Sequence, residues 1–397
     1  MRCANPLTSW TRTESPPVAE YRIPFNRPTF VGRETEYVAR ALTDGHISGD
    51  GQFTRDCNKL LEDSLGAARV LLTTSCTHAL ELAALLLDLK PGDEVILPSF
   101  TFVSTANAFV LHGATPVFAD VRPDTLNIDH DRIAQLVTER TRAIVVVHYA
   151  GVGCEMDAIT PVAEAAGADV IEDNAHGLFG SYKGRVLGSF GRISTLSFHE
   201  TKNFTCGEGG ALVLNDPGDA ERAEILREKG TNRSRFFRGL VDKYTWVDVG
   251  SSYLPSDLLA AILYAQLEQR EGVQQRRRRI WDRYHAGLVG WAADNGVKLP
   301  HTPSYCVHPN HMFHMLLPTP DARDGLIAHL LRQGILAVFH YLPLHLSPMG
   351  TRFGGKPGDC PVTEDVSARL VRLPMFGALS PADQDRVIEA VMEFIPG

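Results

Sequence analysis

The chain has 397 residues, of which 44 % are hydrophobic and 22 % are charged, and its formal net charge at pH 7 is −8. This length favours two or three domains over a single small core. The ordinary globular composition and the negative charge argue against a nucleic acid or an anionic membrane as the partner.

The first 20 residues are polar and lack an apolar segment of signal-peptide length. We therefore interpret residues 1–20 as an N-terminal extension outside the folded domains. No apolar run elsewhere in the sequence reaches the length of a membrane span. These features predict a cytoplasmic protein.

The cysteines are scattered without a C-x-x-C pair, which argues against a disulfide framework and against a structural zinc site. They are Cys3, Cys57, Cys76, Cys154, Cys206, Cys306 and Cys360. Three histidines, His308, His311 and His314, follow one another at i, i+3 and i+6. On the strand that this stretch suggests, residues three apart face opposite sides, so a shared metal site is not favoured. We predict reduced thiols and no metal.

From residue 68 onward, short apolar runs alternate with helical segments. The predicted strands of this series are ARVLLTTS, DEVILPS, TPVFADV, RAIVVVHYAG and ADVIEDNAHG, followed by ISTLSFHETK and GALVLND. Apolar strands that alternate with helices predict a parallel or mixed sheet covered on both faces, which is a doubly wound α/β domain.

A long helical region begins at Ser256, and an α+β mixture follows it to the end of the chain. The last helix is predicted to start with Ser380 as its N-cap and Pro381 at its first position. We therefore predict a large α/β domain over residues 21–255 and a smaller C-terminal α+β domain over residues 256–397.

Ligands of open α/β sheets bind at the carboxyl ends of the strands, so the residues that follow each strand are the candidates for function. Cys76 and Thr77 follow the first strand and open a helix, whose N-terminal amides suit a phosphate. The alternative is a simple helix cap formed by Ser75 or Thr77. No G-x-G-x-x-G occurs at this turn, which argues against an NAD-dependent dehydrogenase.

The other strand ends carry residues of complementary chemistry. Phe102 either projects over a flat ligand or packs in the hydrophobic core. Asp173 and His176 belong to a polar cluster at the end of a buried strand. The Asp173 carboxylate there either caps a helix or pairs with a ligand cation. Ser197 and Lys202 precede a run of glycines that lets the chain pass close to a ligand. A lysine, an acid, a phosphate cradle and an aromatic face are the parts of a pyridoxal 5′-phosphate (PLP) site.

The stretch SFHETKNFTCGEGG, residues 197–210, resembles the pattern S-F-x-x-x-K-x-x-x-x-G-E-G-G of the DegT/DnrJ/EryC1/StrS sugar aminotransferases. The resemblance extends from about residue 21 to the end of the chain. It implies PLP fold type I, the aspartate aminotransferase-like fold. This fold has a large α/β domain with a mainly parallel seven-stranded sheet and a small α+β C-terminal domain.

The resemblance also implies a role for each matching residue. Lys202 corresponds to the lysine that binds PLP as a Schiff base and then shuttles protons, with pyridoxamine phosphate (PMP) as the intermediate form of the cofactor. The implied cofactor contacts are Asp173 at the pyridine nitrogen, Phe102 against the ring, His176 at the phenolic oxygen, and Ser197, Cys76 and Thr77 at the phosphate. Where many members have an asparagine that reaches the neighbouring subunit's phosphate, this chain has Ser252. A homodimer with shared active sites is thereby implied.

Within the family, the segments HETKNF, GTNRSRFFRG, DKYTW and GSSYLPSD resemble dTDP-4-amino-4,6-dideoxygalactose transaminases. This subgroup implies small-molecule substrates, namely L-glutamate as the amino donor and dTDP-4-keto-6-deoxyglucose as the acceptor. We expect substrate contacts from Ser48, Arg233, Tyr341 and His345.

Three alternatives stay open. The first is an aminotransferase for another nucleotide-linked 3- or 4-keto sugar. The second is a sugar 3-dehydratase, although that enzyme class has histidine in place of Lys202. The third is a non-catalytic binding protein of the same fold.

Overall fold

The computed structural model of the protein describes residues 21–396, and the predicted extension over residues 1–20 lies outside the described residues. Nine strands form in the first two thirds of the chain. They are β1 Arg69–Thr73, β2 Glu94–Pro98, β3 Thr115–Ala119, β4 Thr141–Val147, β5 Asp169–Asp173, β6 Ser181–Tyr182, β7 Arg185–Val186, β8 Ile193–Ser197 and β9 Gly210–Leu214. Three short strands follow, namely β10 Cys306–Val307, β11 His314–Leu316 and β12 Leu370–Arg372.

The main sheet contains seven strands in the order β1-β9-β8-β5-β4-β2-β3. Strand β9 runs antiparallel to both of its neighbours, and the remaining pairs are parallel. The predicted mainly parallel seven-stranded sheet is confirmed. Strands β2 and β9 are buried along their whole length, because helices cover both faces.

Helices surround this sheet and build the C-terminal part of the chain. They are α1 Glu34–Asp44, α2 Gln52–Leu65, α3 Cys76–Leu86, α4 Val103–Val110, α5 His130–Leu136, α6 Met156–Ala166, α7 Ala220–Arg227, α8 Arg233–Phe237, α9 Asp257–Glu268, α10 Arg270–Asp294, α11 Pro320–Arg332, α12 Pro361–Arg369 and α13 Pro381–Met392. In the described part of the chain, none of them combines the length and the apolar character that crossing a membrane requires.

The alternation of side chains along the strands divides the core into two layers. Leu71 and Val145 point to the face covered by α3, α4 and α7. Val70 and Val213 point to the opposite face, where α1, α2 and α9 pack. Further along that second face, α5 and α6 cover Ile144. This arrangement confirms the doubly wound architecture.

The C-terminal unit has its own core, which α10, α11 and α13 form with β11 and β12. Tyr284 and Phe313 are fully buried there, and Ile23 from the beginning of the described chain packs among them. Helix α9, in contrast, packs on α1 and α2 of the large domain. The predicted boundary at residues 255/256 therefore needs a correction, because packing places it at the junction of α9 and α10.

The predicted start of the last helix agrees with the structure. Ser380 is the N-cap of α13, and its Oγ accepts a hydrogen bond from the amide of Asp383 at 3.0 Å. Pro381 occupies the first helical position, where its missing N–H costs nothing. Six cysteines are free thiols in the structure, and Cys3 lies outside the described residues.

Candidate active site

Lys202 lies in the loop that joins β8 to β9. The chain leaves β8 at Ser197 and re-enters the sheet at Gly210, which pairs directly with Ser197. A Cβ on Gly210 would lie 2.3 Å from the carbonyl carbon of Ser75 and 2.4 Å from the amide nitrogen of Cys76. Only glycine allows this approach, so Gly210 seats the lysine loop against the turn that opens α3.

The environment of Lys202 favours its neutral amine. Burial of the ammonium lowers the pKa of Lys202 to about 8, and the nearby Arg372 adds to this effect. Asp173 and Cys76 act in the opposite direction, but burial is the dominant cause. A lysine with this pKa supplies a substantial fraction of unprotonated amine near neutral pH, as a nucleophile or a proton carrier requires.

Asp173 ends strand β5 at the carboxyl edge of the sheet and is buried. Its Oδ2 accepts a hydrogen bond from Thr105 Oγ1 at 2.7 Å, and its Oδ1 accepts one from the amide of Ala175 at 3.3 Å. Burial raises the pKa of Asp173, whereas the Thr105 hydrogen bond and the charge of Lys202 lower it. A buried carboxylate in this setting is stabilised by a cationic partner such as a protonated pyridine nitrogen.

The neighbouring Glu172 has a structural role. Its carboxylate accepts hydrogen bonds from the amides of Gly188, Phe190 and Gly191 at 2.6–2.8 Å and lies 2.9 Å from His148 Nε2. Side chains alternate along a strand, so Glu172 and Asp173 point to opposite faces. Asp173 and His176, whose pKa values both respond to the charge of Lys202, are therefore the candidates for the site within residues 172–176.

His176 is buried and stacks on His311 with 4.4 Å between the ring centroids. Burial lowers the pKa of His176 far below its usual value, which keeps the ring neutral. Its Nδ1 has no hydrogen-bond partner within residues 21–396. His311 is held in turn by Asn203, next to Lys202, with Nδ1 and Oδ1 3.0 Å apart. A buried, unpaired ring nitrogen beside the lysine loop fits a ligand oxygen.

The three histidines of the sequence motif lie in separate environments. His308 meets the edge of Trp281 at 4.8 Å between centroids, and His314 packs against Tyr149 at 5.6 Å. His311 stacks on His176 instead. Sequence reasoning considered His311 only as a metal ligand and missed its contact with the site, because the contact joins segments far apart in the chain.

The N-terminus of α3 has the geometry of an anion site. Ser75 Oγ accepts a hydrogen bond from the amide of His78 at 3.1 Å, so Ser75 is the cap. The first-turn amides of Cys76 and Thr77 precede this bonded turn and remain available to an anion. Ser197 lies at the same edge, because its partner Gly210 packs on this turn. The structure therefore brings Cys76, Thr77 and Ser197 together.

Phe102 precedes α4 and has 56 % of its surface exposed, so its ring belongs to the site surface rather than the core. Its centroid lies 6.4 Å from that of Tyr341, which stacks on His340 at 3.6 Å. The core position is occupied by Phe100, which is 1 % exposed. Phe102 and Tyr341 thus form an aromatic wall at the carboxyl edge of the sheet.

Three further candidates are exposed, with Ser48 and Ser252 on loops and Arg233 at the start of α8. Ser252 precedes Tyr253, whose carbonyl accepts a hydrogen bond from the Thr74 amide at 3.0 Å, so its loop adjoins the turn before α3. Ser48 Oγ is 3.5 Å from His46 Nε2. Arg233 forms an ion pair with Glu228 at 3.1 Å. The roles of these three residues remain predictions.

His345 does not present a free ring nitrogen to a substrate. The residue is fully buried, with its Nδ1 2.6 Å from Ser99 Oγ and its Nε2 3.1 Å from Glu364 Oε1. The imidazole ring of His345 therefore connects the segment after β2, through Ser99, with helix α12, through Glu364. We remove His345 from the candidate substrate contacts and assign it to this junction between the two domains.

These residues fit PLP in kind and in position. The amides of α3 suit its phosphate, Asp173 suits the pyridine nitrogen, the unpaired Nδ1 of His176 suits the phenolic oxygen, and Phe102 offers a flat face. Lys202, with its lowered pKa, suits the aldehyde carbon.

Comparison with known proteins agrees with this site. Residues 28–392 match the DegT/DnrJ/EryC1/StrS aminotransferase family. The chain is 34 % identical to the spore coat polysaccharide biosynthesis protein SpsC of Bacillus subtilis (strain 168), covering 94 % of this chain and 97 % of that protein. It is also 34 % identical to GDP-perosamine synthase of Escherichia coli O157:H7, covering 94 % and 98 % of the two chains.

Among solved structures, the putative sugar aminotransferase Spr1654 from Streptococcus pneumoniae superposes with a TM-score of 0.87 in both its PLP form and its PMP form. The identity is 27 %, and the match covers 94 % of this chain and 98 % of that one. Fold, site and relatives agree over nearly the whole described chain. The chain therefore belongs to the DegT/DnrJ/EryC1/StrS family and is a PLP-dependent aminotransferase.

Proposed function

We propose that the enzyme transfers the amino group of L-glutamate to the C4 carbonyl of dTDP-4-keto-6-deoxy-D-glucose. The product is dTDP-4-amino-4,6-dideoxy-D-galactose, for use in surface-polysaccharide synthesis. The observation that carries the aminotransferase chemistry is the partly buried Lys202, whose pKa is lowered to about 8 by desolvation and whose charge acts on Asp173 and His176. The sugar class is supported by relatives named for polysaccharide biosynthesis and for GDP-perosamine synthesis.

Bound PLP supplies an electron sink for the bond that breaks at the amino-acid Cα. Lys202 Nζ moves the proton between the donor Cα and the cofactor carbon that carries the nitrogen, acting first as base and then as acid. Asp173 holds the pyridine nitrogen in its protonated form. His176 contributes a neutral ring nitrogen at the phenolic oxygen, and the amides of Cys76 and Thr77 bind the phosphate. The same groups act in reverse order when the keto sugar takes up the amine.

Lys202 also distinguishes the proposal from the sugar 3-dehydratase alternative. That chemistry uses histidine at this position, whereas a lysine amine can displace the product and return the enzyme to its starting form. A second candidate substrate is a GDP-linked 4-keto sugar, favoured by the 34 % identity to GDP-perosamine synthase. The two candidates share every residue of the cofactor site and differ in the nucleotide.

We also propose a homodimer in which Ser252 supports the phosphate of the neighbouring subunit's cofactor. The segment just before Ser252 carries a concentration of exposed apolar side chains. Phe237 is 70 % exposed and Trp246 is 75 % exposed in the single chain. Such a patch is typical of a surface that is covered in an assembly. Light scattering on the purified protein tests this proposal, and a monomer at micromolar concentration would contradict it.

The experiment that tests the proposed function is NMR analysis of the product formed from PLP, L-glutamate and the keto sugar. A small H3–H4 coupling shows an axial amine and the galacto product. A large coupling shows the gluco epimer and would contradict the proposed product while leaving the reaction class intact. Parallel assays with dTDP-, UDP- and GDP-linked 4-keto sugars decide the nucleotide, and a preference for GDP would replace the first candidate with the second.

A further inference from the structure

The ring of His176 is held by packing rather than by a hydrogen bond at Nδ1. This nitrogen has no partner within residues 21–396. The ring stacks on that of His311, with 4.4 Å between the centroids and 21° between the planes. The rings of Tyr149 and His340 lie further away, with centroids at 6.0 and 6.1 Å. Among these three neighbours, His311 therefore has the largest influence on the plane of the His176 ring.

The side-chain amide of Asn203 fixes the protonation of His311. Its Nδ2 donates to the carbonyl of Pro309 at 2.8 Å and to Oε1 of Gln274 at 3.3 Å. A carbonyl oxygen can only accept, so the amino group of the amide has to face Pro309 and the amide oxygen has to face His311. This oxygen lies 3.0 Å from Nδ1 of His311. Nδ1 therefore carries the proton, and the His311 ring has one tautomer and one orientation.

The backbone of His311 is held as firmly as its ring. Arg277 is buried, and its guanidinium donates to the carbonyls of Asn310 and His311 at 3.0 and 2.5 Å. Asn310 has a φ of 54°, in the left-handed region that asparagine adopts more readily than most residues. This turn before β11 thus presents the His311 ring to His176 in a fixed position.

Both stacked rings are neutral. Burial lowers the pKa of His311 far below its usual value, and neighbouring positive charges act in the same direction. These charges belong to Lys202, Arg277 and Arg372. Burial is also the main cause of the lowered pKa of His176. Two neutral imidazoles pack face to face without the repulsion of two imidazolium ions, so the stacked contact persists at neutral pH.

We propose that His311 is a positioning residue for the cofactor site: its ring holds the ring of His176 in the plane from which Nδ1 of His176 reaches the phenolic oxygen of PLP. The inference rests on the role proposed above for His176. Asn203 follows Lys202 directly in the chain, so its hydrogen bond to His311 connects the lysine loop with the stacked rings. The lysine and the ring at the phenolic oxygen therefore share one support.

The hydrogen bond from His176 should have a measurable effect on the bound cofactor. Bound PLP carries a proton close to its phenolic oxygen, and the negative charge of that oxygen holds the proton. A ring N–H that donates to the oxygen weakens this hold. Loss of the bond should therefore raise the pH midpoint of the absorbance change of the cofactor by about 1–2 units, as expected for one hydrogen bond to a charged group.

The test measures this pH midpoint in the PLP-loaded protein. His176→Phe removes the donating nitrogen and gives the full size of the shift. His311→Ala removes the stacked ring and should raise the midpoint by the greater part of that shift, whereas His311→Phe keeps a ring in place and should raise it less. His308→Ala is the matched control and should leave the midpoint unchanged, because His308 lies in the same segment but packs on Trp281.

A double variant shows whether His311 acts through His176. In the His176→Phe background, His311→Ala should cause no further shift, because the contact that it supports is already absent. An equal shift in both backgrounds, or an unchanged midpoint in His311→Ala alone, overturns the inference. If His311→Ala does not fold, Asn203→Ala replaces it in the same two backgrounds, since it removes only the acceptor that orients the His311 ring.

The proposed function would fail in a different way. An unchanged midpoint in His176→Phe overturns the role of His176 and this inference together. Failure of the wild-type enzyme to transfer the amino group of L-glutamate to the keto sugar overturns the proposed substrates, while the shifts of the cofactor absorbance remain. The two failures are therefore distinguishable.

Discussion

Raising the pH through 8 should activate Lys202 well before an ordinary lysine. Burial lowers the pKa of Lys202 from 10.5 to about 8 in the cofactor-free protein. At pH 7.5 the neutral amine then amounts to about 24 % of the protein, against roughly 0.1 % for a lysine with an unshifted pKa. The reactive amine is therefore about 200-fold more abundant than in free lysine at this pH.

The assay is the rate at which the apoenzyme captures PLP, followed by the absorbance of the covalently bound cofactor. Capture by a blocked free lysine in the same buffers is the reference, because dividing by it removes the pH dependence of PLP itself. Below pH 8 the ratio of the two rates should be constant, because the unprotonated fraction of both amines rises about tenfold for each unit of pH. Between pH 8 and 10.5 it should fall, since Lys202 is already neutral.

A ratio that stays constant up to pH 10 would refute the argument, because it would mean that Lys202 titrates like a solvated lysine. The variant Lys202→Ala serves as the control for capture by surface lysines. It should show no absorbance of a stable covalent complex and no turnover, while its thermal unfolding stays close to that of the wild type.

Three further substitutions test the assignment of the site. Asp173→Asn should lower turnover roughly 100- to 1,000-fold, as expected for removing one partner of a buried ion pair, and a loss under tenfold would contradict its role. Gly210→Ala should weaken PLP binding in equilibrium dialysis, because its Cβ would press on the turn before α3, whereas Gly290→Ala in open space on α10 should not. His345→Ala should destabilise the fold by about 1–3 kcal/mol in denaturant titrations, and a raised KM for the keto sugar would return it to the substrate site.

The sequence by itself determined the fold class and predicted the candidate cofactor residues. Alternating apolar runs and helical segments are a local signal, and covering both faces of a sheet requires such runs. The spacing of Lys202 from Ser197 and from the glycines is also local, since the segment from the end of β8 to the start of β9 contains all of them. The start of the last helix at Ser380 and Pro381 could be predicted for the same reason, because a helix cap involves only neighbours in the chain.

Tertiary structure alone decided which polar side chains keep a hydrogen-bond donor or acceptor without a partner. The sequence shows His345 and His176 as similar histidines, yet Ser99 and Glu364 engage both nitrogens of the first, while Nδ1 of the second has no described partner. Arg372 likewise looks like an ordinary strand residue until the segment at Val338 and the ring of Phe25 close around it.

The domain boundary shows the same limit of sequence reasoning. Helix α9 follows the large domain without a break in pattern and continues almost directly into α10. Only the packing partners, α1 and α2 for the first helix and α13 for the second, separate the two. Burial, counter-ions and packing depend on residues far apart in the chain, and for this reason they appear only when the chain is folded.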